Sequence, residues 1–265
     1  MSERTFGRRA ILTGAAGAVA LLATRPASAV LVAADDGRLT TATVTFPGAS
    51  GELSGYLVRP AGIDTRLPAV IVVHESRGLT AHVEDIARRV GLAGFMALAP
   101  DLLSTRGGTP PDTAEGRKAV SALPTDPLVA DLVAAMVYLR LRPDCGDRIG
   151  ALGFGWGASL VGRLAAAAPA LAAGVIYYGR LPPPGDAERI RTPLLVHQAA
   201  MDTKTNEGTE AFQVAMATAR TRLTVQRYEG ADQGFFNDTA RGRYSGQAAE
   251  SSWTQTVAFL KETLG

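Results

Sequence analysis

The stretch Arg148 to Leu160 reads R-I-G-A-L-G-F-G-W-G-A-S-L. It passes from an apolar run, through glycines at 153, 155 and 157, into an alanine-rich segment. The apolar run suits a strand buried on both faces. Glycines at alternate positions mark a tight turn where backbone must pass close to backbone. Alanine and leucine then favour a helix. A strand that turns at once into a helix is the repeating unit of a parallel sheet, so this segment restricts the chain to an α/β architecture.

The rest of the sequence repeats that unit. Thr40 to Phe46 and Glu52 to Val58 alternate around the turn Pro47 to Gly51, which predicts an antiparallel hairpin at a sheet edge. Ala69 to Val73 is a continuous, mostly β-branched run, the pattern of a strand covered on both sides. Val83, Ile86, Ala87 and Val90 keep helical spacing, and Gly94 closes that helix. Further strands are predicted at Phe95 to Ala99, Leu171 to Tyr178, Leu194 to Ala199 and Leu223 to Tyr228. Helices are predicted around Leu128 to Leu139, Glu210 to Thr218 and Gln247 to Leu264. Leu102 to Pro111 and Pro182 to Gly185 read as loops. With no internal repeat or linker, residues 30–265 form one mostly parallel, doubly wound domain. Polar residues gather just past the carboxyl ends of the strands, the edge where open parallel sheets bind ligands.

The N-terminus reads differently. Arg4, Arg8 and Arg9 precede the apolar run Ala10 to Ala23, and Ala27-Ser28-Ala29 is a small-residue cleavage pattern. The pair Arg8-Arg9 is the mark of a twin-arginine export signal over residues 1–29, which predicts an exported protein. That run is too short for a spanning helix, so no membrane span is expected after its removal. Residues 1–29 hold four Arg and one Glu, so without them the formal charge falls from +2 to −1. No basic surface remains to argue for nucleic acid. A single cysteine and three histidines exclude an internal disulfide and argue against a metal centre, and no cofactor is implied.

Five segments, in this order and spacing, carry a family resemblance. They are His74 to Leu79 (H-E-S-R-G-L), Gly94 to Asp101 (G-F-M-A-L-A-P-D), Gly153 to Gly157 (G-F-G-W-G), Leu194 to Asp202 (L-L-V-H-Q-A-A-M-D) and Tyr228 to Asp238 (Y-E-G-A-D-Q-G-F-F-N-D). From about Ser50 onward the chain resembles the dienelactone hydrolase family of the α/β-hydrolase fold. The resemblance implies ester or lactone hydrolysis by a Cys-His-Asp triad, with the nucleophile on the sharp strand-to-helix turn. It places the acid at Asp202, the histidine at Gln233 and the nucleophile at Gly155. Glycine cannot form an acyl intermediate, and glutamine cannot take a proton near neutral pH. Triad hydrolysis is therefore not expected.

What the resemblance leaves in place is an oxyanion hole, formed by the backbone N–H of Trp156 and one from the loop at Glu75-Ser76. Glu75 matches a family glutamate beside the nucleophile; it reads as an acid/base group or as a loop carboxylate paired with Arg77. Asp202 reads as a second catalytic carboxylate or as a backbone cap. Arg77 and Arg106 are candidates for binding an anionic substrate or ordinary surface arginines. Trp156 and Tyr178 line the pocket or simply pack. Gly155 also relieves strain in the elbow backbone, which favours glycine with no new function. Cys145 precedes its strand and so lies at the wrong edge of the sheet, Ser159 falls in the following helix, and Ser76 has no histidine partner beyond neighbouring His74.

Three functions follow. The first is non-hydrolytic acid/base chemistry (isomerase, cyclase or lyase type) on a small organic substrate, using Glu75 and Asp202. The second is small-molecule binding without catalysis. The third is weak ester or lactone hydrolysis by a water that Glu75 activates. The substrate and the oligomeric state are not legible in the sequence.

Overall fold

The computed structural model describes Met1 and residues 31–265, and the signal segment expected over residues 1–29 lies outside the described residues. The chain opens with the hairpin β1 (Leu39–Pro47) and β2 (Glu52–Pro60), then β3 (Leu67–Val73), α1 (Ala81–Leu92) and β4 (Met96–Asp101). After a single 3-10 turn at Ser104–Arg106 come α2 (Thr113–Ser121), α3 (Thr125–Leu141), β5 (Cys145–Phe154), α4 (Trp156–Ala167) and β6 (Ala173–Tyr177). A second 3-10 turn, Pro184–Arg189, leads to β7 (Leu194–Ala199), α5 (Thr203–Asn206), α6 (Thr209–Thr218), β8 (Leu223–Tyr228) and α7 (Gly246–Leu264).

The eight strands form one sheet in the order β1-β2-β4-β3-β5-β6-β7-β8. β2 pairs antiparallel with β1 and with β4, and every other pairing is parallel. This is the doubly wound sheet with an antiparallel N-terminal hairpin that the sequence predicts.

The continuous apolar runs are explained by two cores, one on each face. Ala69, Ile71 and Val73 of β3 join Leu132, Met136, Leu160, Leu164 and Phe212 of α3, α4 and α6. Val70 and Val72 point the other way, to Val83, Ile86 and Val90 of α1 and to Phe259 and Leu264 of α7. A strand with period-two side chains and helices on both faces needs apolar residues at every position.

Four segments differ from the sequence reading. The predicted loops Leu102 to Pro111 and Pro182 to Gly185 hold all or part of a 3-10 turn, and α2 and the short α5 have no counterpart among the predicted helices. α2 buries only Gly116 and Val120, so it carries no apolar stripe; its start is set by Asp112, whose side chain accepts from the Ala114 and Glu115 amides. A Cβ on Gly116 would stand 2.6 Å from the Arg77 carbonyl oxygen, so glycine lets α2 seat directly on the loop after β3.

Candidate active site

The turn between β5 and α4 is built around its glycines. A Cβ on Gly153 would meet the Gly157 backbone at 2.7 Å, and one on Gly157 would meet the His74 carbonyl oxygen at 2.2 Å. Both flanking glycines are therefore required by close packing. Gly155 differs: it has φ 53° and ψ −113°, yet a Cβ placed there would meet nothing within 4 Å. The central position of the elbow keeps its strained backbone and opens onto free space. Its amide donates to the Tyr177 carbonyl at 2.9 Å, which ties the turn to β6.

That space is a cavity of about 590 Å³ at the carboxyl edge of the sheet. Its wall includes Glu75, Ser76, Arg77, Gly155, Trp156, Tyr178 and Gln233, so seven of the predicted site residues come together. Arg106 does not join them; it ends the exposed 3-10 turn after β4. Asp202 is also absent from the wall. It caps α5, its Oδ1 accepting from the Thr205 amide at 3.0 Å, while its Oδ2 is buried with no partner among the described residues. Gln233 reaches toward the same turn, its Nε2 lying 3.5 Å from the Thr205 hydroxyl. Ser159 lines the cavity from α4, but its hydroxyl accepts from the Arg180 amide at 3.0 Å. Cys145 begins β5 at the far edge, and burial pushes its thiol up to about 11.

Glu75 is held from one side. Its Oε2 accepts from Arg77 at 3.1 Å and from Asn237 Nδ2 at 3.0 Å, and no hydrogen bond is made to Oε1 among the described residues. Asn237 is itself buried and oriented, since its Oδ1 accepts from the Thr239 amide at 3.0 Å and hydroxyl at 2.6 Å. His74 fixes the backbone of the same loop. Its Nδ1 donates to the Glu75 carbonyl at 2.7 Å, which leaves Nε2 to accept from the Leu102 amide at 3.3 Å. Burial lowers its affinity for a proton, and its ring stacks on Trp156 at 5.5 Å. It is a neutral structural histidine.

Tyr178 follows β6 with φ 38°, a left-handed conformation that costs a non-glycine residue about 1–3 kcal/mol. It is 2% exposed and lines the cavity, and its buried hydroxyl has no partner of normal hydrogen-bond geometry among the described residues. Burial, reinforced by the nearby Glu75 charge, raises this phenol well above its usual range, so it stays a donor. The Trp156 amide lies in the first turn of α4, where no intrahelical acceptor exists, and the Ser76 amide has no acceptor among the described residues.

Asn237 and three cavity arginines, Arg117, Arg180 and Arg243, are absent from the sequence-level site. Asn237 sits in the Tyr228 to Asp238 motif and was open to recognition. The arginines belong to no motif, and only the packing of α2 and the loops brings them to one place.

A second cluster lies behind the site. Ligand atoms of His82, Asp85 and Asp238 fall within 4.8 Å of one another, a spacing a metal could use. Arg89 occupies it instead: its guanidinium binds Asp85 and, at 2.6 Å, Asp238. A cation already bridges both carboxylates, so the cluster is an ion-pair network.

Comparison with known proteins identifies the family. The model of the "Dienelactone hydrolase family" matches residues 53–264. A Synechocystis protein named "Putative carboxymethylenebutenolidase" is 30% identical over 85% of this chain and 97% of its own. An Escherichia coli protein of the same name is 28% identical over 91% of this chain and 93% of its own. Among solved structures, a metagenomic dienelactone hydrolase-like promiscuous phosphotriesterase superposes with a TM-score of 0.72 at 25% identity, covering 86% of this chain and all of that one.

Proposed function

The chain belongs to the dienelactone hydrolase family, and from that premise we propose that it acts on a small carbonyl compound by acid/base chemistry at Glu75, without an acyl-enzyme. One observation carries this reading. Among the described residues Glu75 is the only carboxylate lining the cavity above Gly155, and Tyr178, whose buried hydroxyl has no hydrogen-bond partner there, lines it too.

The chemistry follows from what each group can do. Glu75 Oε1, which accepts no hydrogen bond among the described residues, takes a proton from the carbon next to the substrate carbonyl. Negative charge then develops on the carbonyl oxygen, where the Trp156 and Ser76 amides can receive it. Tyr178 remains protonated and adds a third donor. Return of the proton from Glu75 to a different carbon completes an isomerisation; departure of a β-substituent completes an elimination. Asp202 supports this from a distance by capping α5 through the Thr205 amide, the second of the two roles the sequence offers it.

A panel of ketones and unsaturated lactones in D2O tests the idea. Deuterium should enter carbon, next to the carbonyl in recovered substrate by reversible exchange and at the newly protonated carbon in an isomerised product, and Glu75→Gln should cut the rate by at least about 100-fold, while Asp202→Asn should change it only a few-fold. Turnover that survives Glu75→Gln, or an acyl adduct on the intact protein by mass spectrometry, would overturn the proposal.

A second reading has its own support in the hydrolase names of the relatives and the retained amide donors. Glu75 could direct water onto an ester or lactone. That reaction would place solvent oxygen in the acid product and no deuterium on carbon, so the same samples separate the two. Ligand-dependent thermal stabilisation with no product in either assay would mark a binding protein.

A further inference from the structure

We propose that α3 docks against the α3 of a second copy of this chain, antiparallel, across a two-fold axis that passes between Val133 and Ala134. No residue of α3 lines the cavity above Gly155, so this interface is independent of the chemistry at Glu75 and leaves the cavity open.

α3 is apolar on both sides. Its inner face, with Leu128, Leu132, Met136 and Leu139, is buried in the core. Its outer face starts at Asp126 and continues through Ala130, Val133, Ala134, Val137 and Leu141 at helical spacing. Val137 is 51% exposed and Leu141 79%. They stand one turn apart on one face, whereas every other large exposed apolar side chain among the described residues is alone on its segment. A helix that is apolar all round is normally covered all round. Beside this face, α3 and the Ala166-Ala167 pair of α4 bound a groove of about 440 Å³, with Ala130 and Val133 on its wall.

The occupant is a second copy because the face complements itself, as a two-fold interface must. Turning α3 over about a point between Val133 and Ala134 sets position 130 against 137, and position 126 against 140 and 141. Small Ala130, with the groove beside it, then meets the larger Val137 of the second copy, and the same contact recurs on the other side of the axis. The charges follow the same symmetry. Asp126 lies in the first turn and Arg140 in the last, about 21 Å apart along the helix, so an antiparallel copy pairs each with the other. Neither makes an ion pair among the described residues; the Arg140 guanidinium donates to the Ala170 carbonyl at 3.2 Å, which holds it at the edge of the face. A partner of uniform charge, such as an anionic lipid surface, would attract one end of this stripe and repel the other. One helix face is less than a standard interface, so the dimer is of the weak, reversible kind.

Sedimentation of the full chain at up to about 100 µM, where a micromolar complex is populated, should show a monomer–dimer equilibrium. Val137→Lys and Leu141→Lys should each weaken it at least about tenfold by setting a cation in the contact. Leu141→Lys places that cation in the last turn of α3, where it suits the helix end and leaves folding intact. Val214→Lys changes a valine that is 68% exposed on α6 and should leave association unchanged. Charge exchange tests the antiparallel register. Asp126→Arg and Arg140→Asp should each weaken the dimer, because each sets like charges against one another. An equimolar mixture of those two variants should regain it, since both facing pairs are then opposite in sign, and that recovery also shows that both variants fold. A monomer throughout, a dimer indifferent to Leu141→Lys, or folded charge variants that stay apart when mixed would overturn the proposal. So would a monomer that binds neutral phosphatidylcholine vesicles through Val137 and Leu141, which would make the face a membrane contact.

Discussion

At the scale of single residues, the family resemblance assigns the nucleophile position to Gly155 and the histidine position to Gln233, and both line one cavity. Asp202 Oδ2 is buried without a partner among the described residues, at the position the resemblance assigns to the triad acid. Leaving such an oxygen unmatched costs about 1–3 kcal/mol. Gln233, at the position the resemblance assigns to the histidine, turns to Thr205. Above Gly155 there is room for a side chain. We therefore expect Gly155→Cys to fold, at a cost of about 1–3 kcal/mol for a non-glycine residue at φ 53°. Adding Gln233→His should regain part of that stability by engaging Asp202. The double variant should form an acyl-enzyme with aryl esters, seen as a mass increase on the intact protein, whereas each single variant should not. Failure of the folded double variant to acylate would mean that the amides and Asp202 are no longer in register.

At the scale of elements, the late loop between β8 and α7 is the part that ties the site together. Asn237 binds Glu75, and the next residue, Asp238, is clamped by Arg89 and His82 of α1. α1 in turn follows directly on the loop that carries Glu75, so the two loops and the helix form a closed ring of contacts. Burial alone would raise the Asp238 carboxyl, but His82 and Arg89 outweigh it and hold it below the usual carboxylate range. Asp238→Asn preserves shape and removes the charge. It should destabilise the fold by about 3 kcal/mol, because Arg89 loses one of its two acids in a nearly dry setting. Hydrogen exchange of residues 229–245 should quicken more than that of the central strands. Uniform quickening across the sheet would show that the ion pairs stabilise the whole protein and do not specifically hold the loop. The ring was not legible beforehand, because Asp238 lies 149 residues from Arg89 and only packing brings it to His82, Asp85 and Arg89 of α1. α2 was missed for a related reason: with two buried residues it has no apolar period, and its partner is the backbone of another loop.

At the scale of the whole molecule, what the sequence revealed was what periodicity encodes. A run such as Ala69 to Val73 must divide its side chains between two cores, so strands, crossover helices and the edge hairpin could all be placed. Charge balance around the cavity has no such period and emerged only from the fold. Stability has one contribution that spans the sheet and is equally invisible in sequence. His197 of β7 is fully buried, its Nδ1 3.0 Å from the Tyr228 hydroxyl and its Nε2 3.0 Å from the Thr256 hydroxyl on α7. Thr256 also meets the Tyr177 hydroxyl at 2.7 Å, so one chain of hydroxyls links β6, β7, β8 and α7 through a neutral imidazole. Burial lowers its pKa to about 3. The unfolded chain takes up that proton as pH falls below about 6.5, while the folded protein refuses it until near 3. His197 thus adds no pH dependence above about 6.5, and below it favours unfolding increasingly, on the order of 4 kcal/mol by pH 3. Carboxylates titrate in the same range, so the comparison must be with His197→Gln. That variant should be less stable at pH 7, having lost the imidazole's hydrogen bonds, yet its urea midpoint should fall less steeply between pH 6.5 and 4. Parallel slopes for the two proteins would assign the acid sensitivity to the carboxylates and remove His197 from it.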